Sequence, residues 1–285
     1  MKLVVVPNDV NNIEEYKKIG ANAFIFGLKG FSSGYSLNLE VEEIKAIIEK
    51  NQDVEIFVAA NKNIFNSELL DLKQKLIELD STKVKGVLFY DLAVLNIKIE
   101  NNLSLDLVWN QTHMVTNYNT CNFYYNKGVK YGLLSGEITL EEINEIKSKT
   151  QMTLFATVMG YPIMSFSRRT LLNNYFLSNN KKKDKNIYTI TNDNEDYIIE
   201  EEDSGNAIFY GKVLNGSNVL NSINVDYAVL NEFNIDKEVF KKVLSLYKRI
   251  IEEKDNNKIK EVDRILGEYR GFFYQKTIYK VKKND

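Results

Sequence analysis

Arg168 and Arg169 stand side by side within TLFATVMGYPIMSFSRRTLLNNYF, residues 153–176. Each guanidinium is a planar fork of donors that matches a carboxylate or a phosphate. Leu154 to Val158 has the apolar, β-branched character of a strand, and Gly160-Tyr161-Pro162 ends it. Leu171, Leu172, Tyr175 and Phe176 mark a helix that starts at the arginine pair. The pair is thus expected past the C-terminal end of a strand as an anion site; the alternative is that both arginines pair with surface carboxylates. Glu137 and Asp91 lie at the ends of two other strands and could act as an acid and a base, with solvated or salt-bridged roles as the alternative. His113, the only histidine, follows Asn110-Gln111-Thr112, so a metal centre on it would need carboxylates from other loops. A hydrogen-bonded loop histidine is the expectation. Cys121, the only cysteine, is placed on the first turn of a helix, where the dipole lowers a thiol's pKa, although burial as a small hydrophobe is the commoner fate.

These residues need elements to position them, and the chain supplies a regular beat. Strands are expected at Leu3–Val6, Ala23–Phe26, Glu55–Ala59, Gly86–Tyr90, Leu107–Trp109, Tyr131–Ser135, Leu154–Val158 and Tyr227–Leu230, each followed by a helical pattern. Ser67 suits the N-cap of the helix carrying Leu69, Leu70, Leu76 and Leu79, and Thr139 with Glu142 has capping-box spacing. Alternation of this kind gives parallel strands with right-handed crossovers. Eight of them favour a closed (β/α)8 TIM-type barrel over an open sheet. After Asn179 the beat breaks into short strands separated by Asn, Asp and Gly, which predicts a small antiparallel β insertion between units 7 and 8. The expected division is residues 1–179 for the first seven units, 180–217 for the insertion, and 218–285 for the eighth unit and a helical, basic tail.

Composition limits the function classes. The chain has 285 residues, 44% of them hydrophobic, enough for a full core. A net charge of −2 gives no global basic field, so nucleic-acid binding would rest on local patches such as Lys181–Lys183, Lys185 and the Lys280–Lys283 tail. One cysteine excludes an internal disulfide framework and a four-cysteine cluster within the chain. No apolar run approaches the roughly 18 residues of a membrane span, and Met1–Val6 lacks the flanks of a signal peptide. A cytoplasmic protein without a membrane or DNA partner is expected. Neither a Gly-x-Gly-x-x-Gly fingerprint after the first strand nor a P-loop is present. In a barrel, function sits at the C-terminal strand ends. Those ends carry Asn8, Lys29, Asn61, Asp91, Asn110 with Gln111, Glu137, Arg168 with Arg169, and Asn231.

Several segments resemble, in order along nearly the whole chain, the collagenase-like peptidase family U32. They are Gly27-Leu28-Lys29-Gly30-Phe31-Ser32, Asn61-Lys62, Thr116-Asn117-Tyr118-Asn119, Ser135 to Ile143, Ser167-Arg168-Arg169 with Leu171 to Tyr175, and the tail from Arg270 to Thr277. The resemblance implies a barrel of the same kind. Longer members carry cysteines downstream of the Arg-Arg region that hold an iron–sulfur cluster; none lies beyond Cys121 here, which implies the short branch without a cluster. Many members have a histidine before the glycine ending the seventh strand, where this chain has Met159. Several relatives are implicated in hydroxylating RNA bases or a quinone precursor, some of the RNA work depending on prephenate, a small dicarboxylate. The resemblance therefore implies a factor in tRNA or rRNA base hydroxylation. Arg168, Arg169 and Lys29 would hold a carboxylate or phosphate, with Asn61, Asn117 and Tyr161 as further binding residues. Two alternatives stay open: a peptidase in which Glu137 or Asp91 activates water, with a divalent metal, and a non-catalytic subunit of a longer paralogue. No Ser–His–Asp or Cys–His constellation supports the peptidase.

Overall fold

The chain closes on itself through its first strand. In the computed structural model, which describes residues 1–202 and 205–276, β1 (Lys2–Val6) pairs on one side with β2 (Ala23–Leu28) and on the other with the last strand of the ring. A two-residue strand β3 (Asn38–Leu39) pairs parallel with the C-terminal end of β2. The ring continues through β4 (Glu55–Ala60), β5 (Gly86–Phe89), β6 (Leu107–Trp109), β7 (Tyr131–Leu133) and β8 (Thr153–Gly160). All ring pairings are parallel, so the closed eight-stranded barrel expected from the alternation is present.

After β8 the chain leaves the ring. It makes β9 (Ile163–Ser167), β10 (Ile187–Asn192), β11 (Glu195–Glu202) and β12 (Gly205–Tyr210), an antiparallel sheet ordered β10-β11-β12-β9. Three of these strands fall within residues 180–217, and β9 precedes them. A short strand β13 (Leu214–Asn215) then returns antiparallel to β8, and β14 (Tyr227–Asn231) completes the ring.

Period-two alternation sorts each ring strand into two layers. Val4, Val6, Ile25, Phe57, Ala59, Phe155, Tyr227 and Val229 point into the barrel, while Leu3, Val5, Ile56, Val58, Leu154 and Ala228 face the helices. The lower interior is plugged by aromatic rings. Phe155 and Tyr227 stack at 4.2 Å, and Phe57 meets both edge-on. Val6, Leu133 and Val229 form the floor of a cavity above that plug.

The helices are α1 (Ile13–Ile19), α2 (Val41–Lys50), α3 (Leu69–Asp80), α4 (Leu92–Glu100), α5 (Tyr118–Asn126), α6 (Leu140–Lys149), α7 (Leu171–Ser178), α8 (Lys237–Glu253) and α9 (Asn256–Leu266). The α8 stripe Phe240, Val243, Leu244, Tyr247 and Ile250 is buried, as its 3.6-residue spacing requires. The capping box at Thr139 and Glu142 forms as the spacing implied.

Two local expectations are corrected. Ser67 lies inside a 3-10 turn, Asn66–Glu68, that precedes α3, and Glu68 takes the carboxylate half of the cap by accepting from the Phe65 amide. The helix after the arginines starts at Leu171, because β9 intervenes between barrel strand and helix. Its first turn is capped from a distance: Glu201 of β11 accepts from the Leu172 and Asn173 amides, and Asn206 of β12 from that of Leu171. No helix among the described residues is long and apolar enough to cross a membrane.

Candidate functional site at the barrel mouth

The mouth holds a cavity of about 190 Å³ beneath the small sheet. Its floor is the apolar layer Val6, Leu133 and Val229; β9 roofs it with Ile163, Met164 and Phe166. Gly160 allows that roof to form: at φ +132° it is left-handed, and a Cβ there would come within 2.8 Å of the Asn231 side chain. The C-terminal arm supplies another wall through Tyr269 and Phe272. Arg270 pins this arm, donating to the Asn215 carbonyl at 2.7 Å and to Asp263 at 2.6 Å.

Polar groups converge on the cavity from the loops after four ring strands. Asn61 follows β4, Asn110, Thr112 and His113 follow β6, Glu137 follows β7, and Asn231 ends β14. His113 Nδ1 lies 3.3 Å from Glu137 Oε1, both side chains more than half exposed at the rim. Asn110 is 3% exposed and its Oδ1 has no hydrogen-bond partner. Burial raises the pKa of Tyr35 and, to a lesser extent of enclosure, that of Tyr161, so both phenols stay protonated at neutral pH. Asn61 is spent locally, exchanging hydrogen bonds of 3.1 Å with the Ser33 backbone.

Arg168 lies beside this cavity, in a neighbouring one of about 290 Å³. Its fork grips Glu68 at 2.7 and 2.9 Å and donates to the Asn63 carbonyl at 2.7 Å, and the guanidinium stacks on Phe65 at 3.7 Å. Lys62 reaches the same carboxylate at 2.9 Å. The Arg168 guanidinium, helped by the Phe65 amide and Lys62, holds the Glu68 carboxyl down at about 2. Arg169 is exposed, with no ion pair among the described residues.

The other sequence candidates are placed elsewhere. Asp91 caps α4, accepting from the Ala93 amide at 2.9 Å, and its second oxygen accepts from the Ile64 amide at 3.0 Å. Asn117 caps α5 through the Thr120 amide. Lys29 pairs with Glu40 at 3.2 Å, both substantially exposed. Neither cavity is lined by these three or by Arg169. Met159 is fully buried in the layer between strands and helices, where β8 slips register by one residue against β14. Cys121 is also buried, which pushes its thiol up to about 11. Among the described residues no three His, Cys, Asp or Glu side chains gather as a metal site. The lysine tail at 280–283 lies outside the described residues.

The structure thus brings Asn61, Asn110, Glu137, Tyr161 and Asn231 together and adds His113, whose acidic partner sits 24 positions away in sequence and so left no local signal. Lys62 stands in sequence only as part of the Asn61-Lys62 segment of the resemblance, with no binding role, because nothing local sets it apart from the chain's other lysines.

Comparison with known proteins adds an independent line. A family model for peptidase family U32 matches residues 8–279. The tRNA hydroxylation protein P2 of Bacillus subtilis is 26% identical over 307 residues, covering 98% of this chain and 99% of that protein. The tRNA hydroxylation protein P1 of the same organism is 24% identical, covering 70% of this chain and 49% of that one. An uncharacterized protease of Methanocaldococcus jannaschii is 27% identical, covering 61% of this chain and 44% of its own length.

Proposed function

The chain belongs to peptidase family U32, and we propose that it serves tRNA base hydroxylation, receiving a base in the barrel mouth. One observation carries this reading: the match to tRNA hydroxylation protein P2 runs essentially end to end in both chains. The cavity's character supports it. A mainly apolar cavity rimmed by amides suits a heterocycle with polar edges, and an enzyme acting on a base must take it out of the stack into such a pocket. His113 and Glu137 at the rim would exchange protons with the base or its environment.

The one cysteine is buried, so redox chemistry through an iron–sulfur cluster would be supplied by another chain. A longer paralogue is the partner we propose. A small dicarboxylate could enter by the same mouth.

The hydrolase reading has one observation of its own, the His113–Glu137 contact, which could polarise a water. Against it, no hydroxyl or thiol is bonded to His113 among the described residues. Incubating the purified protein with bulk tRNA and, separately, with gelatin peptides distinguishes the two. Retarded tRNA migration without peptide cleavage supports the RNA role; cleavage that His113→Ala abolishes, without tRNA binding, would reverse the order.

A further inference from the structure

Lys62 and Arg168 share a single carboxylate, Glu68, so the cluster carries one positive charge in excess. That excess is enclosed: Lys62 is 8% exposed and sits over the Phe31 ring at 5.1 Å. Arg168 uses both terminal nitrogens and leaves its Nε buried without a partner. An unbalanced buried cation is costly unless a counter-charge arrives. Glu68, with its low pKa, stays ionised at any physiological pH, so it fixes the two cations without cancelling them.

The cavity beside this cluster adjoins the mouth. The two share Asn61, Thr112, His113, Met164 and Phe166 as common walls. One ligand can therefore lie in both, with a planar apolar part in the mouth and an oxyanion toward Lys62 and Arg168. We propose that this basic end is a phosphate subsite, holding the backbone phosphate next to the base in the mouth. The proposal rests on the reading of the mouth as a base site. Lys62 would act as a point charge and Arg168 as the fixed donor. A free oxyanion would satisfy the cluster and leave the apolar half unfilled, which favours a nucleotide over a small acid.

Calorimetric titration of the purified full chain with uridine and cytidine, and with their 3′- and 5′-monophosphates, tests this. The wild type should bind one monophosphate at least about tenfold tighter than its nucleoside, the effect of roughly 1.4 kcal/mol. Lys62→Met keeps the apolar stem over Phe31 and leaves Glu68 balanced by Arg168 alone. It should erase that advantage while nucleoside affinity and melting temperature hold, and Lys62→Arg should retain it. An advantage that survives in Lys62→Met, or nucleoside and monophosphate affinities that are equal in the wild type, overturns the subsite alone. Inorganic phosphate or succinate binding as tightly as the nucleotide overturns it in favour of a small-anion pocket. Absence of nucleoside binding altogether overturns the reading of the mouth, and the subsite with it.

Discussion

The Tyr16 hydroxyl donates to the Glu232 carboxylate, tying the first helix to the loop that follows the last strand of the ring. The second oxygen of Glu232 accepts from the Asn8 amide at 2.8 Å, so one buried carboxylate joins the first and last units of the ring. Removing a donor from a buried carboxylate leaves it under-satisfied. Tyr16→Phe should therefore lower unfolding free energy by about 1–3 kcal/mol. Chemical denaturation followed by circular dichroism measures this, and an unchanged midpoint would mean that the closure does not depend on the bond.

Glu200 gives the pH dependence a definite sign. Burial, and secondarily the Glu202 charge, pushes its carboxyl up to about 8. Its Oε2 has no partner, so ionisation in place is uncompensated. A carboxyl raised in the folded state contributes stability that is complete below about 4.5 and lost as pH rises through about 8. The loss should amount to a few kcal/mol. Glu200→Gln should flatten that part of the stability profile between pH 5 and 9; a variant with the wild-type slope would assign the dependence to other groups.

Arg168 holds the small sheet to the barrel rim as well as facing the proposed subsite. Lysine cannot reproduce its paired bonds to Glu68 or its stacking on Phe65. Arg168→Lys should cost about 1–2 kcal/mol of stability, while Arg169→Lys, at an exposed position, should cost none. Thermal melts of the two variants side by side check the contrast, and equal melting temperatures would contradict it.

The barrel was legible in sequence because each ring strand carries its own apolar run and each crossover its own helical period. The site was legible only as a set of strand ends. Asn61, Asn110, Glu137 and Asn231 could be named because a parallel barrel sends every such end to one face. Distances between them could not, since they depend on how β9 folds back over the mouth. Sequence assigns residues 163–167 no element and starts the helix at the arginine pair, because the true cap comes from Glu201 and Asn206, some 30 residues later. The partner of Arg168 was equally hidden: Glu68 is 100 positions away, so two adjacent arginines looked alike until the fold gave them different surroundings.

Iron analysis of the purified protein provides a separate check. A single buried cysteine cannot supply the usual four ligands, so no visible absorbance from a cluster is expected. Sulfide-bound iron at one cluster per chain, without a partner, would contradict the assignment to the cluster-free branch.

Nucleoside mass spectrometry of tRNA from a strain lacking this gene tests the central claim most directly. The account predicts that a hydroxylated base present in the parent strain is lost, that the intact gene restores it, and that His113→Ala with Glu137→Gln does not. Unchanged hydroxylation in the deletion strain would contradict it.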